Sequence, residues 1–121
     1  MISGGLATVY VTDMTRAVDF YVNKLGLKLQ YQAGNDWAQI DAGKGLILGL
    51  HPTHPGGPAA GQSGSQQVGF ELDEPLATVY AALAERGVPF DGPIMDTGHI
   101  RLAYFHDPDR NTFYLSETPK G

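Results

Sequence analysis

Six side chains bring together the reactive and ligand-holding chemistry of this sequence: Trp37, His51, Gln67, His99, Arg101 and Tyr114. Histidine, with an ordinary pKa near 6.5, is the side chain that exchanges a proton most readily at neutral pH. His51 and His99 are therefore the candidate general bases. Arg101 carries a planar fork of donors that matches a carboxylate, a phosphate or a developing enolate oxygen. Trp37 and Tyr114 offer flat walls for a ring-bearing ligand, and the amide of Gln67 both donates and accepts. Each has an ordinary reading beside the chemical one. His51 precedes Pro52 at a strand end and can simply face solvent, and Arg101 can serve a surface ion pair with Glu71 or Asp96. Phe20, Tyr21 and Tyr80 read as core packing, and so does Tyr10 in preference to a further aromatic wall beside Trp37 and Tyr114; His54 reads as a solvent-exposed loop residue and His106 as turn or rim structure.

The elements that hold these residues follow from periodicity. Leu6 to Val11 alternates as a strand, with Ala7, Val9 and Val11 on one face. Asp13 is a good helix N-cap, because its carboxylate accepts from the orphan N–H groups of a first turn. Met14, Ala17, Val18, Tyr21 and Leu25 then recur at helical spacing, and Gly26 is placed to end the helix. Three short strands are expected next: Leu27 to Gln32, Asp36 to Asp41 and Leu46 to Leu50. On the last, His51 shares the parity of Ile47 and Gly49.

Residues 52–66, PTHPGGPAAGQSGSQ, are too rich in Pro, Gly and Ser to pack alone, and are expected to be a flexible connection or lid. The pattern then starts again. Val68, Phe70 and Leu72 mark a strand, and Asp73 or Glu74 is expected to cap a helix with Pro75 first and Leu76, Val79, Tyr80 and Leu83 inward. A strand expected through Val88 to Phe90, with an extension toward Met95, and a hairpin from His99 to Leu115 follow. The hairpin reverses at Asp107-Pro108-Asp109-Arg110-Asn111, where proline presets a type I turn. Its first strand is read with Ile100, Leu102 and Tyr104 inward and with His99 and Arg101 on the open face beside Tyr114. Asp13 and Asp73, Ala17 and Ala77, and Phe20 and Tyr80 recur at a single offset, so the chain is a duplicated β-α-β-β-β unit. Module 1 spans about residues 5–51 and module 2 about 67–118. A sheet covered by one helix leaves its other face open, and two such faces make a cleft.

Composition narrows the function. A chain of 121 residues favours one domain with its own core. There is no cysteine, which removes disulfides, thiolate metal sites and a cysteine nucleophile. A net charge of −5 with eight scattered Lys and Arg disfavours nucleic acid. No apolar run reaches the length of a membrane span, and MISGGLATVYV has no signal-peptide pattern, so a cytoplasmic protein is expected.

The duplicated unit, the helix segment carrying Val11, Asp13, Met14, Ala17, Val18, Phe20, Tyr21, Leu25, Gly26 and Leu27, and the hairpin carrying Tyr104, Phe105, Asp107, Pro108, Asp109 and Asn111 resemble one group. It is the vicinal oxygen chelate superfamily of glyoxalase I, bleomycin-resistance proteins, fosfomycin-resistance enzymes and extradiol dioxygenases. The resemblance implies an α+β fold of two tandem β-α-β-β-β modules whose curved sheets form a shared cleft. It further implies a homodimer and, for the metal enzymes, ion ligands at the positions of Leu6, Gly49, Gln67 and Tyr114. Leu6 and Gly49 offer no donor atom, whereas a catalytic divalent ion needs about three protein ligands. Arg110 also departs from the resemblance, which implies glycine in that turn. The leading expectation is therefore a small organic ligand held in the cleft without metal or other cofactor, as in the resistance-type proteins. A second is a metal-independent isomerase, epimerase or lyase with His51 or His99 as base and Arg101 stabilising an oxyanion. A third is a metal-dependent lyase or dioxygenase with relocated ligands, His51, His99 and Glu71.

Overall fold

The architecture comes from a computed structural model that describes residues 1, 5–61 and 67–118. Residues 62–66 of the expected connection lie outside that range. Module 1 runs β1 (Ala7–Val11), α1 (Met14–Val18), β2 (Lys28–Ala33), β3 (Trp37–Asp41) and β4 (Ile47–Pro52). A wider π-helical stretch, Asp19–Lys24, continues α1. Module 2 runs β5 (Gln67–Glu71), α2 (Leu76–Glu85), β6 (Met95–Asp96), β7 (Arg101–His106) and β8 (Thr112–Glu117). The sheets have matching orders, β1-β4-β3-β2 and β5-β8-β7-β6, with the first strand parallel to the last in each. The repeat read from the sequence is thus a repeat of topology.

Asp13 caps α1 as expected, its carboxylate accepting from the Arg16 N–H at 3.0 Å. The second helix differs. Its N-cap position is Pro75, so neither Asp73 nor Glu74 caps it, and Leu76 rather than Pro75 is the first helical residue. Leu76 and Leu83 are buried, while Val79 and Tyr80 are half-buried, the ring of Tyr80 stacking on Phe90 at 4.0 Å.

The helix-bearing sides of the two sheets share one apolar core. Val9, Val11, Ile40, Leu48 and Leu50 from module 1 are continuous with Phe70, Ala103, Phe105, Phe113 and Leu115 from module 2. Tyr21 is the bridge: its ring meets Phe113 edge-on at 5.7 Å, and its hydroxyl donates to Asp107 Oδ2 at 2.7 Å. Asp107 is fully buried. Its other donors are the backbone N–H groups of Asp109 and Asn111 and the Asn111 amide, at 2.8–2.9 Å. Desolvation raises the Asp107 pKa against the pull of these hydrogen bonds, and raises that of Tyr21 well above its ordinary value, with the Asp107 charge adding to it. Asn111 also donates to the Tyr10 carbonyl and accepts from the Gly61 N–H. The hairpin turn therefore clamps β1, the helix and the connection together.

The connection is held at more points than its composition predicts. Thr53 N–H donates to the Val11 carbonyl, and Gly61 sits at φ +66° against the hairpin. A Cβ on Gly61 would lie 2.0 Å from the Asp109 carbonyl oxygen, so only glycine fits there. Arg110, in the same turn, adopts φ +67°, a left-handed conformation that costs a non-glycine residue about 1 kcal/mol.

Candidate ligand-binding faces

The face of each sheet away from the shared core is where the sequence-predicted residues were to meet. On module 1 they do so in part. Register pairs Tyr10 with His51 across β1 and β4, and Trp37 lies opposite His51, one step beyond the Ala38–Leu50 pair. Three rings therefore form a row over three neighbouring strands, with centroids 5.4 Å apart for Tyr10–His51 and 6.3 Å for His51–Trp37. All three are half-buried, so Tyr10 belongs to the open face and not to the core as expected. The next position along β4 is Gly49. A Cβ there would lie 2.2 Å from Trp37 Cη2, so the indole rests on bare backbone. Its Nε1–H donates to Gln39 Oε1 at 3.3 Å, and the Gln39 amide donates on to Gln30 at 3.2 Å.

His51 Nδ1 lies 2.7 Å from the Pro52 carbonyl oxygen. A carbonyl only accepts, so Nδ1 carries the proton, and in the neutral ring the Nε2 lone pair is left open. The exposed His54 packs its ring 6.2 Å from that of His51 and lies against Gly57.

Module 2 presents Tyr114 on its open face, paired in register with Gly69 and with Tyr104. The Tyr114 and Tyr104 rings lie 5.6 Å apart, and a Cβ on Gly69 would lie 2.3 Å from Tyr114 Cζ. Gln67 begins β5 in an exposed position, in register with Thr112.

His99 and Arg101 are placed differently from the expectation. Ala103 and Phe105 are the buried residues of β7, opposite Leu115 and Phe113, so Leu102, Tyr104 and His106 share the face of Tyr114. Arg101 therefore has the parity of the core side. It lies at the exposed end of the strand, ion-paired to Asp96 at 3.2 Å and to Glu117 at 3.3 Å. Those hydrogen bonds raise its pKa, and the Gly98 N–H followed by Arg101 lowers that of Asp96. His99 precedes the strand, exposed in the Asp96–Ile100 turn. His106 bonds Asp91 through Nδ1 at 2.8 Å.

Among the described residues, no three His, Cys, Asp or Glu side chains converge on a point where a metal ion would sit. His51, His99 and Glu71 are not brought together; Glu71 instead faces Lys44 at 3.7 Å. At the four positions where the resemblance implies metal ligands, Leu6 and Gly49 contribute no donor and the Tyr114 ring is laid across Gly69. The donor set does not suit a divalent ion.

A pair of four-stranded sheets, each backed by a helix and open on its other face, defines a fold of duplicated β-α-β-β-β modules. Residues 5–115 match the model of the Glyoxalase/Bleomycin resistance protein/Dioxygenase superfamily, and the chain belongs to that superfamily. Among solved structures it is similar to TnmS3, an antibiotic binding protein from Streptomyces sp. CB03234, at 33% identity over 98% of both chains with a TM-score of 0.80. A superfamily member from Sphaerobacter thermophilus is 28% identical over 97% of this chain and 98% of its own, with a TM-score of 0.78. One from Nocardioides is 26% identical over 100% of this chain and 86% of its own, also at 0.78. No curated protein matches the chain. No helix among the described residues is long and apolar enough to cross a membrane.

Proposed function

We propose that this chain holds a small, flat organic molecule by non-covalent contact on its open faces, with no metal ion taking part. The observation that carries this reading is the Tyr10–His51–Trp37 row, with the benzene edge of the indole set against Gly49. The rings are inclined to one another, at 59° for Tyr10–His51 and 76° for Trp37–His51, so a planar ligand meets faces and edges already in place and orders few side chains on binding. An antibiotic-binding relative of the same length supports it, and so does the missing donor set. The pocket is completed by a second copy of the chain, module 1 of one facing module 2 of the other. The helix sides of the modules already share a core, and the ring contacts of Tyr10, His51 and Trp37 stay within module 1 and the connection after it. The site residues are then Tyr10, Trp37 and His51 from one module, with Gln67, Tyr104 and Tyr114 from the other. Arg101 and His99 are left out.

Trp37 is the single tryptophan, so its fluorescence reports binding directly. A panel of planar aromatic antibiotics and dyes, titrated in EDTA, is expected to give saturable quenching with at least one compound. Trp37→Ala, followed by calorimetry, then weakens that compound at least tenfold. Unchanged affinity in the variant rejects the site, and a requirement for added metal rejects the metal-free mode. Sedimentation that shows only monomers with and without ligand rejects the two-chain pocket.

A second reading, metal-independent proton transfer, is favoured by one observation, the open Nε2 of His51. His51 then acts as general base on an acidic C–H of the ligand. Solvent-deuterium exchange into a bound compound, abolished in His51→Ala, tests it; absence of exchange in the wild type rejects it.

A further inference from the structure

A groove between the first helix and the hairpin turn, lined by none of Tyr10, Trp37, His51, Tyr104 and Tyr114, gathers a large share of the chain's positive charge. It has a volume of about 320 Å³ and is bordered by Arg16, Lys24, His106 and Arg110, with Phe20 and Pro89 among its apolar walls. Three of the eight Lys and Arg residues of a chain with net charge −5 line it. A fourth, Arg86, reaches the Lys24 carbonyl through Nη1 at 3.4 Å.

Two carboxylates, Asp19 and Asp107, line the groove as well, and both accept hydrogen bonds from within the chain. Asp107 is buried and receives the Tyr21 hydroxyl, the Asn111 amide and two backbone N–H groups. Asp109 accepts from Thr12 and Arg16, Asp91 holds His106, and Asp19 accepts from the Asn23 amide at 2.8 Å. Lys24 and Arg110 have no carboxylate partner among the described residues. Arg110 is held, besides, in a left-handed conformation at φ +67° that glycine would adopt without strain. Strain kept beside an open cavity is where a functional reason is worth seeking.

We propose that this groove binds a tetrahedral oxyanion, held between the Lys24 ammonium and the Arg110 guanidinium, with Arg86 and Arg16 raising the local potential. Guanidinium and ammonium groups are the usual partners of phosphate oxygens, the first through its fork and the second as a point charge. The anion is either free phosphate or the phosphate of a small organic molecule whose apolar part lies on Phe20 and Pro89.

The test uses the full chain with inorganic phosphate and phenyl phosphate as probes, against sodium chloride at matched ionic strength. Phosphate is expected to raise the melting temperature by about 2 °C or more and to titrate with a millimolar dissociation constant. Lys24→Ala weakens it at least fivefold. Arg110→Gly melts higher than wild type without phosphate, because the strain is gone, yet loses the phosphate response. Arg101→Ala retains it. Phenyl phosphate binding more tightly than phosphate supports an organic phosphate, and equal affinity supports the free ion. Melting temperatures that are the same in phosphate, phenyl phosphate and chloride overturn the proposal, as does binding unchanged in both Lys24→Ala and Arg110→Gly.

Discussion

Gly49→Ala adds one methyl group, and the open face of module 1 determines the sign of its effect. In a strand with free space, replacing glycine by alanine stabilises a protein by about 0.4–1 kcal/mol, because the unfolded chain loses freedom. Here the new Cβ would lie 2.2 Å from Trp37 Cη2, 2.6 Å from Cζ2 and 3.2 Å from Leu6 Cδ1. Carbon atoms in contact sit about 3.5–4.0 Å apart, so the indole edge must withdraw by roughly 1.5 Å. Withdrawal lifts the ring off β4 and strains its bond to Gln39. Overpacking of this kind costs about 1–3 kcal/mol, and a half-buried ring that can swing outward falls in the lower part of that range. For a chain of 121 residues the net loss lowers the melting temperature by about 3–8 °C. Tryptophan emission shifts to longer wavelength as the ring gains water, and ligand affinity falls with it. In a Trp37→Phe background the clashing atoms are gone, so Gly49→Ala becomes neutral or stabilising, a coupling that a double-mutant cycle measures. Gly49→Ala alone giving a higher melting temperature with an unshifted emission maximum would refute the indole–Gly49 contact and the face built on it.

Other perturbations test the remaining parts. Tyr21→Phe removes one donor from buried Asp107 and is expected to cost about 1–3 kcal/mol in urea denaturation. Because the folded pKa of Asp107 is raised, the unfolded chain loses the Asp107 proton first as pH rises, so this group's contribution falls between the ordinary carboxylate pKa and the raised value. The stability of wild type relative to Asp107→Asn should therefore grow on acidification through that window; a flat difference would contradict the burial. Arg101→Ala, which removes only exposed ion pairs, is expected to leave ligand affinity unchanged, and a large loss would return Arg101 to the site. Gly61→Ala sets a Cβ against the Asp109 carbonyl and should expose the connection to proteolysis while the core stays folded.

The fold was legible because each element had its own signal. Asp13 before a helical stripe, Gly26 and Gly87 behind two helices, and the Asp107–Asn111 turn mark boundaries that the structure moves by only a residue or two. Two strands were exceptions. The strand expected at Val88–Phe90 is only an isolated Phe90–Phe105 bridge, with β6 at Met95–Asp96. For β7 the ambiguity is chemical. Leu102, Ala103, Tyr104 and Phe105 are all apolar, so alternation does not say which pair faces the core. The return strand held the answer. Phe113 and Leu115 read as core, and a turn of five residues, 107–111, sets His106 opposite Thr112 and hence Phe105 opposite Phe113. Counting across the hairpin places Tyr104 beside Tyr114 and turns Arg101 away from the open face. The anchors of the Pro-rich segment were hidden for a different reason. They are the Asn111 side chain and a glycine pressed on a carbonyl, contacts made far away in sequence.

The two open faces show how a duplicated unit can keep an aromatic surface while its residues differ. Module 1 lays Trp37 from β3 over Gly49, and module 2 lays Tyr114 from β8 over Gly69. The aromatic comes from a different strand of the unit in each case, so no fixed sequence offset relates the two arrangements. They share a physical requirement, a flat ring lying against backbone where a side chain would otherwise stand. Glycine in a strand interior weakens the sheet and lacks packing of its own, and a ring laid over it restores the lost contact area. The same device removes the donor from one position where the resemblance implies a metal ligand and covers the neighbourhood of another. The aromatic face and the poor metal site are therefore two consequences of one substitution pattern. Gly69→Ala extends the argument to module 2: with Tyr114 Cζ 2.3 Å from the added Cβ, it should disturb Tyr104 and Tyr114 and leave Trp37 emission unchanged in the free protein.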